Sequence, residues 1–529
     1  MRGKILVVDD LPDVRSTVSG LLRDAGYLTW FAASRQEALD ILETEHFHLA
    51  VLDVRLDESD EDNREGMDLL RDINQRYPAI AVIMLTGYAD ADMVRQALQP
   101  VNGRQPAYGV VFKQEMTVLP DMVRMAFQEH LHLNLELVID DPHQSIEKLA
   151  ERIRLVGDHI PLREDILLQI RELFGKLFFE CERIRLGQMQ QGFSGAAVFH
   201  VVPTYRERGE GQSVVVKIGE RHEIKTEIRN YEKYVRGIVG NHRIPEALRM
   251  AETHNLAGIW YSFIGLGGQP DTFTNYYHSA WLPDILPVLD NLYRETLFPL
   301  KDRTGRMKEK YDLRAFYMQH LHLTDEKLRS IVTGLDARQA IFSEQPDGSW
   351  LFGTERLPNP LHYARTGNFW ADVFFATIHG DLNGQNILID PHHDTWLIDF
   401  LTTTDDGHIL QDYAALETHL RFRLVREAGC SLETLLHWAQ ICFNGNLQHV
   451  PLSAVVYDHP GLLKAHQVML HLRALAAQST GYTDRAYLIA LFFNTLRSAT
   501  YREASDFTRN HALYCAAKIA ARLNAYSGS

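Results

Sequence analysis

Apolar residues in the first 130 positions fall in short unbroken runs, and the stretches between them are amphipathic. Ile5 to Val8, Leu28 to Phe31, Leu49 to Leu52, Ile80 to Leu85 and Gly109 to Phe112 predict strands. Val14, Val18, Leu21 and Leu22 share one face of a helix over Arg15 to Ala25. Ser34 is placed to cap the next helix, which carries Ala38, Leu39 and Leu42. Strands that are apolar on both faces and separated by helices belong in a parallel sheet covered on both sides. Chemistry in such a sheet sits at the carboxyl ends of its strands.

The pattern changes after residue 131. Asp141-Pro142 reads as a helix start with proline in the first turn, followed by an apolar stripe of Ile146, Leu149, Ile153 and Val156. Pro161 interrupts, and a second helix runs through Ile166, Ile170, Leu173, Leu177 and Cys181. Two connector helices packed on a neighbour, or a dimerising unit that transmits a signal, both fit the stripe. Strands return at Ile184 to Gln190, Ala196 to Val202 and Ser213 to Ile218, the last two joined by an ERGEG hairpin turn. A helix over His222 to Val235 and a strand over Leu256 to Phe263 follow. Short strands at Asn386 to Ile389 and Trp396 to Ile398 bracket a PHHD turn. Helical periodicity then dominates 410–426, 431–442, 461–475, 485–498 and 508–525.

Composition narrows the class. The 529 residues are 45% hydrophobic and 23% charged, ordinary for a multidomain globular protein. Four cysteines without zinc-like pairing give neither a disulfide scaffold nor a thiolate metal site. Without a signal peptide or an 18-residue apolar stretch, a cytoplasmic location with no membrane span is expected. The formal net charge of −15 opposes nucleic-acid binding by bulk charge.

Asp9 and Asp10 follow the first strand, Asp53 the third, Thr86 the fourth and Lys113 the fifth. A parallel sheet brings all five to one end. Paired carboxylates there suit Mg²⁺, which prefers hard oxygen ligands, with Asp53 joined by Asp9 or Asp10. A phosphoryl group arriving on Asp53 would meet the Lys113 ammonium and the Thr86 hydroxyl. On these residues, in ILVVDD, VLDVRL, MLTGYAD and VVFKQ, the first 130 positions resemble a response-regulator receiver domain. The resemblance implies a (βα)5 fold, Mg²⁺ dependence and phosphotransfer from a histidine kinase to Asp53. Two positions depart from the family: Gln114 stands where proline commonly follows the lysine, and Val110 where an aromatic switch residue is usual. The loop DESDEDNREG is long and acidic, with Asp57, Glu58, Asp60, Glu61, Asp62 and Glu65.

A second constellation lies in His379-Gly380-Asp381-Leu382-Asn383-Gly384-Gln385-Asn386 and in Asp399 of WLIDF. Phosphoryl transfer is catalysed by placed charge. Asp381 can orient an incoming hydroxyl and take its proton, while Asn386 and Asp399 can hold Mg²⁺ against nucleotide phosphates. His379 is expected to be structural. Upstream, Gly192, Ser194 and Gly195 sit in a strand–turn–strand segment whose backbone can approach phosphates. Lys217 lies in an apolar strand where an unpaired ammonium is costly; Glu227 is the favoured partner and Glu232 the reserve.

In these motifs residues 184 to at least 420 resemble the aminoglycoside phosphotransferase and choline kinase-like branch of the protein-kinase-like superfamily. The resemblance implies an α/β multidomain chain: receiver 1–130, helical connector 131–183, kinase-like N-lobe 184–265 and helical C-lobe 266–529. It further implies ATP as phosphodonor, with Asp412 of DYAAL packing the catalytic loop. The acceptor, a small molecule or a protein, is not legible in the aromatic-rich segment between Phe263-Ile264-Gly265 and His379. Phosphorylation of the receiver would then control an ATP–Mg²⁺-dependent phosphotransferase through 131–186, with a change of homodimer as one route. The alternative is a nonenzymatic scaffold whose nucleotide-binding pseudokinase reports receiver state to a partner.

Overall fold

Each apolar run of the amino-terminal region forms a strand: β1 (Lys4–Val8), β2 (Leu28–Ala32), β3 (Leu49–Asp53), β4 (Ala81–Thr86) and β5 (Gly109–Phe112). The computed structural model describes residues 1–57, 60, 63–87, 91–101, 105–153, 155, 161–187, 190–191, 196–237, 246–262, 270–302, 305–425, 429–501 and 504–527. The chain divides into two compact units, Met1–Thr226 with Glu246–Phe263, and Glu227–Pro245 with Ile264–Ser529.

In the first unit the five strands form a parallel sheet in the order β2-β1-β3-β4-β5. Helices α1 (Pro12–Asp24), α2 (Arg35–Thr44), α3 (Glu65–Arg76), α4 (Ala91–Leu98) and α5 (Leu119–Met125) accompany it. Leu6, Val8 and Leu52 face one core and Ile5, Val7 and Val51 the other, which is why the runs carry no polar residue. Burial of each such side chain stabilises by about 1.5–3 kcal/mol. Ser34 caps α2 by accepting from the Glu37 amide. Helix α1 starts earlier than the sequence suggests, at Pro12, whose missing N–H costs nothing in the first turn.

The rest of the first unit is a second sheet with helices. Its elements are β6 (Val138–Asp140), α6 (Ser145–Arg152), α7 (Arg163–Leu177), β7 (Cys181–Leu186), β8 (Gln190–Gln191), β9 (Ala197–Tyr205), β10 (Gly209–Glu210), β11 (Val214–Glu220), the start of α8 (Arg221–Asn230, of which residues from Glu227 on belong to the second unit), β12 (Glu246–Glu252) and β13 (Leu256–Ser262). The sheet runs β12-β13-β11-β9-β7-β6, with β8 and β10 paired to β9. Three local expectations change. Pro142 precedes the helix instead of opening it; α6 begins at Ser145, and the Asp141 carboxylate accepts from the Ser145 and Ile146 amides, each at 2.9 Å. Cys181 opens β7 and does not end α7, and the connector contains a strand, β6, parallel to β7. Ile146 and Leu149 are buried in one core with Ile170, Leu173, Phe199 and Val216, so the stripe packs within the chain. Ile153 packs at its margin, and Val156 lies outside the described residues.

Polar contacts at the start of β3, the end of that strand away from Asp53, join the receiver sheet to α7. Lys4 pairs with Glu45 and with Asp165, and His46 Nε2 lies 2.6 Å from Glu172. Lys176 pairs with Glu172 at 2.6 Å, and the Tyr77 and His254 rings lie 5.0 Å apart.

The second unit is mainly helical, with helices Gln411–His419, Leu432–Asn444, Pro460–Ala477, Asp484–Thr500 and Asp506–Ser527. A sheet of Arg306–Asp312, Trp370–Ile378 and Thr404–His408 and a hairpin of Ile387–Ile389 with Thr395–Leu397 complete its frame. Arg473 grips Glu417 with two hydrogen bonds (2.7 and 2.9 Å), and Arg421 and Tyr487 join them, all buried. Among the described residues no helix is long and apolar enough to cross a membrane.

Candidate functional site

The parallel register places Asp53 at the end of β3 beside Leu85, and Thr86 at the end of β4 beside Phe112, so Lys113 begins where β5 stops. Lys113 Nζ stands 2.7 Å from Asp53 Oδ2 and 2.9 Å from Asp9 Oδ2. Carboxylate oxygens of Asp9, Asp10 and Asp53 lie within 4.8 Å of one another. Burial pushes the Asp53 carboxyl up to about 6, against the hydrogen bond and charge of Lys113. Burial disfavours the Lys113 ammonium, yet bonds to Asp53 and Asp9 prevail and raise its pKa. One ammonium cannot balance a converging set of carboxylates, and that hard-oxygen, anion-rich donor set fits Mg²⁺. Thr86 is buried at the same rim.

Gln114, in the position usual for proline, donates from Nε2 to the Gly87 carbonyl at 3.2 Å, tying the β5 loop to the loop after Thr86. Tyr108 donates to Glu129 at 3.2 Å. The acidic loop closes on Asn63, whose Oδ1 accepts from the Leu56 and Glu65 amides at 3.1 and 3.2 Å. Glu58, Glu61 and Asp62 of that loop lie outside the described residues.

The second constellation is built around Asp412. Its carboxylate accepts from the His379 amide at 3.0 Å and the Gly380 amide at 2.9 Å. His379 Nε2 bonds the Ile398 carbonyl at 2.9 Å, and the Thr402 and Thr403 hydroxyls donate to the His379 carbonyl. His320 and Gln411 hold the Gly380 carbonyl, each at 3.1 Å. Gly380 has φ +89°, and a Cβ there would meet the Thr402 carbonyl oxygen at 2.5 Å, so only glycine fits. His379 and Asp412 therefore shape the loop backbone, as the sequence suggests.

Asp381 follows in this fixed loop. Its Oδ1 accepts from Arg497 Nη1 at 2.7 Å, and its backbone carbonyl accepts from Asn386 Nδ2 at 2.9 Å. Burial opposes the Asp381 carboxylate, but the Arg497 charge outweighs it and the pKa falls. Arg497, 116 residues downstream, is the main residue that motif reading misses. Its signal is a cation four residues beyond the apolar run Tyr487–Phe493 of helix 484–500. Asp399 adopts a left-handed backbone, φ +69°, uncommon for a non-glycine residue. The Asn230 amide holds the carbonyls of Phe400 and Leu401 just beyond it, at 3.1 and 2.8 Å.

Lys217 is buried on β11, an inner strand with Val198 on one side and Ile259 on the other. Glu227 is buried on α8. Lys217 belongs to the first unit; Glu227, Asp381, Asn386 and Asp399 belong to the second. Gly192, Ser194 and Gly195, with Phe263-Ile264-Gly265, lie outside the described residues. Arg306 and Lys308 pair with Asp406, while Lys301 is buried.

His46, His48 and Glu172 also converge. The Lys4 amide donates to His48 Nδ1 at 3.0 Å, so a neutral His48 carries its proton on Nε2, the atom facing Glu172. Burial lowers the His48 pKa to about 4, and Lys176 already neutralises Glu172. Glu172 is thus paired with Lys176 and His46, while among the described residues the buried His48 Nε2 makes no hydrogen bond.

Comparison with known proteins gives two family matches. The family described as response regulator receiver domain matches residues 5–118. The family described as ternary complex associated domain 9 matches residues 182–340 and 291–502, together more than half of the chain. The response regulator protein PilR of Pseudomonas aeruginosa is 37% identical over 98 residues, covering 18% of this chain and 21% of PilR. Sporulation initiation phosphotransferase F of Bacillus subtilis is 32% identical over 97 residues, covering 18% of this chain and 74% of that protein. The chain spans about a fifth of the length of the first curated relatives it matches. Among solved structures, the NtrX receiver domain of Brucella abortus has 29% identity and a TM-score of 0.21, covering 24% of this chain and 98% of that one.

Proposed function

The chain belongs to the ternary complex associated domain 9 family and carries a response-regulator receiver domain, and on that premise we propose that receiver phosphorylation controls an ATP–Mg²⁺-dependent phosphotransferase output. A histidine kinase is the phosphodonor to Asp53. Asp9 or Asp10 with Asp53 holds Mg²⁺ in the receiver, where the ion supplies neutralisation of phosphoryl charge. Lys113 and Thr86 contact the phosphoryl oxygens of the modified Asp53.

In the output, residues 184–265 and 266–529 act as N-lobe and C-lobe, with 131–183 as connector. Asp381 orients the acceptor hydroxyl and takes its proton, and Asn386 and Asp399 bind Mg²⁺. Lys217, with Glu227 as its assigned partner, serves the nucleotide phosphates, as do the backbone groups of Gly192, Ser194 and Gly195. The acceptor is a small molecule or a protein. The observation that carries this reading is the Asp412 clamp on His379–Gly380, which presents Asp381 from a loop held by hydrogen bonds on both sides. Phosphoryl transfer needs such fixed placement more than it needs covalent chemistry.

Titrating ATP with Mg²⁺ into wild type and Asp399→Asn tests the assignment. A Mg²⁺-dependent affinity lost in the variant is expected, and equal affinity in both contradicts it. A nonenzymatic reading has its own support in the Arg497–Asp381 pair, which engages the proposed base, and in the family's description by ternary complexes. Nucleotide binding without turnover under any acceptor would select it.

A further inference from the structure

Within the second unit a cavity of about 480 Å³ opens beside the short helix Phe298–Asp302. None of its lining residues belongs to either carboxylate site. Lys301 lines it and is 7% exposed. The ammonium lies 4.1 Å from the centre of the Tyr413 ring and 5.4 Å from that of Tyr293, and the two rings stack in parallel at 4.1 Å. Among the described residues Lys301 Nζ has no hydrogen-bond partner. The ring faces attract its charge but accept none of its three N–H donors in the way an oxygen does. Neither tyrosine hydroxyl is turned to it: Tyr293 donates to the Asp412 carbonyl, and Tyr413 accepts from Ser479.

The remaining walls define what else the cavity takes. Phe374, Ile409 and Leu475 supply an apolar side; Arg294, held by Gln478 at 3.2 Å and paired with Asp290 at 3.4 Å, adds a second cation at the rim, and the exposed Asp302 a carboxylate. Phe374 is pinned in place by the loop at Gly305, where a Cβ would fall 2.3 Å from its ring. The volume is that of a small-molecule site, with an apolar lining and a few polar groups fixing orientation.

We propose that this cavity binds a small organic anion, a carboxylate or phosphate monoester with an aromatic or apolar body, whose anionic head pairs with Lys301 and whose body lies against Phe374. Calorimetric titration of the full chain with phenyl phosphate, benzoate and phenol tests it. Both anions bind about tenfold or more tighter than neutral phenol, and Lys301→Met removes that preference while Lys148→Met, at an exposed lysine of α6, keeps it. Equal affinity for phenol and the anions, or no binding of either anion at millimolar concentration, overturns the proposal. So does an anion preference lost in Lys148→Met but kept in Lys301→Met. The wild-type comparison of phenyl phosphate with phenol holds even if a variant folds poorly.

Discussion

The receiver cluster and the Asp381 loop both present carboxylates from loops held beside strands, yet their electrostatics run in opposite directions. In the receiver, Asp9, Asp10 and Asp53 converge on one Lys113, and the Asp53 carboxyl rises to about 6 because burial and crowding exceed what one ammonium returns. In the second unit Asp381 meets Arg497 one to one, and its pKa falls. The first site keeps a deficit of positive charge that suits a divalent cation; the second is already balanced by its own chain. A strand-end aspartate therefore says little by itself, and the count of neighbouring charges decides what it can do.

The largest expected effect tests the deficit. Incubated with a small phosphodonor and Mg²⁺, wild type acquires an acyl phosphate at Asp53, and chelating the metal lowers its rate by about 100-fold or more. Mass spectrometry locates the label. The same modification persisting in Asp53→Asn would remove the receiver side of the comparison.

Next comes the balanced pair. Arg497→Met strands a half-buried carboxylate and is expected to cost about 2–3 kcal/mol in urea unfolding, of which Asp381→Asn in the same background returns about half. A fully additive double-mutant cycle would mean that the pair contributes nothing. Asp412→Asn should cost about 1–2 kcal/mol, because an amide replaces a carboxylate that accepts two backbone N–H groups. Equal unfolding midpoints for that variant and wild type would show that the loop is held by its other bonds.

The smallest effect concerns the contacts below the receiver. His48 and His254 have pKa values near 4 in the fold, lowered first by burial, against an ordinary 6.5. Their stabilisation is complete above pH 6.5 and is lost as pH falls toward 4, because the unfolded chain takes up protons that the fold refuses. Stability should fall across that window, and His48→Gln should flatten the slope. A slope unchanged in the variant would place the titrating group elsewhere.

Much of this was legible in the chain. The receiver strands were readable because burial on both faces leaves unbroken apolar runs, and Ser34 because capping is local. The loop roles of His379 and Asp412 were legible from their motifs. What escaped shares a physical cause: it depends on partners distant in sequence. No hydrophobic pattern marks the strand Arg306–Asp312, whose Arg306 and Lys308 are satisfied by Asp406, 100 and 98 residues away. Arg497 is visible only as a polar intrusion until helix 484–500 brings it to Asp381. The stripe Ile146–Leu149 left packing on a neighbour and dimerisation both open, because the sequence does not reveal the sheet of β7, β9 and β11 that covers it.

The central claim is that the charge-deficient site governs the balanced one. Its most direct test is ATP turnover by the full chain, with Mg²⁺ and a range of hydroxyl acceptors, before and after acyl phosphorylation. The account predicts turnover that changes several-fold on phosphorylation, does not change in Asp53→Asn, and is lost in Asp381→Asn. Turnover that is identical with and without the acyl phosphate, or a change that survives in Asp53→Asn, would contradict it.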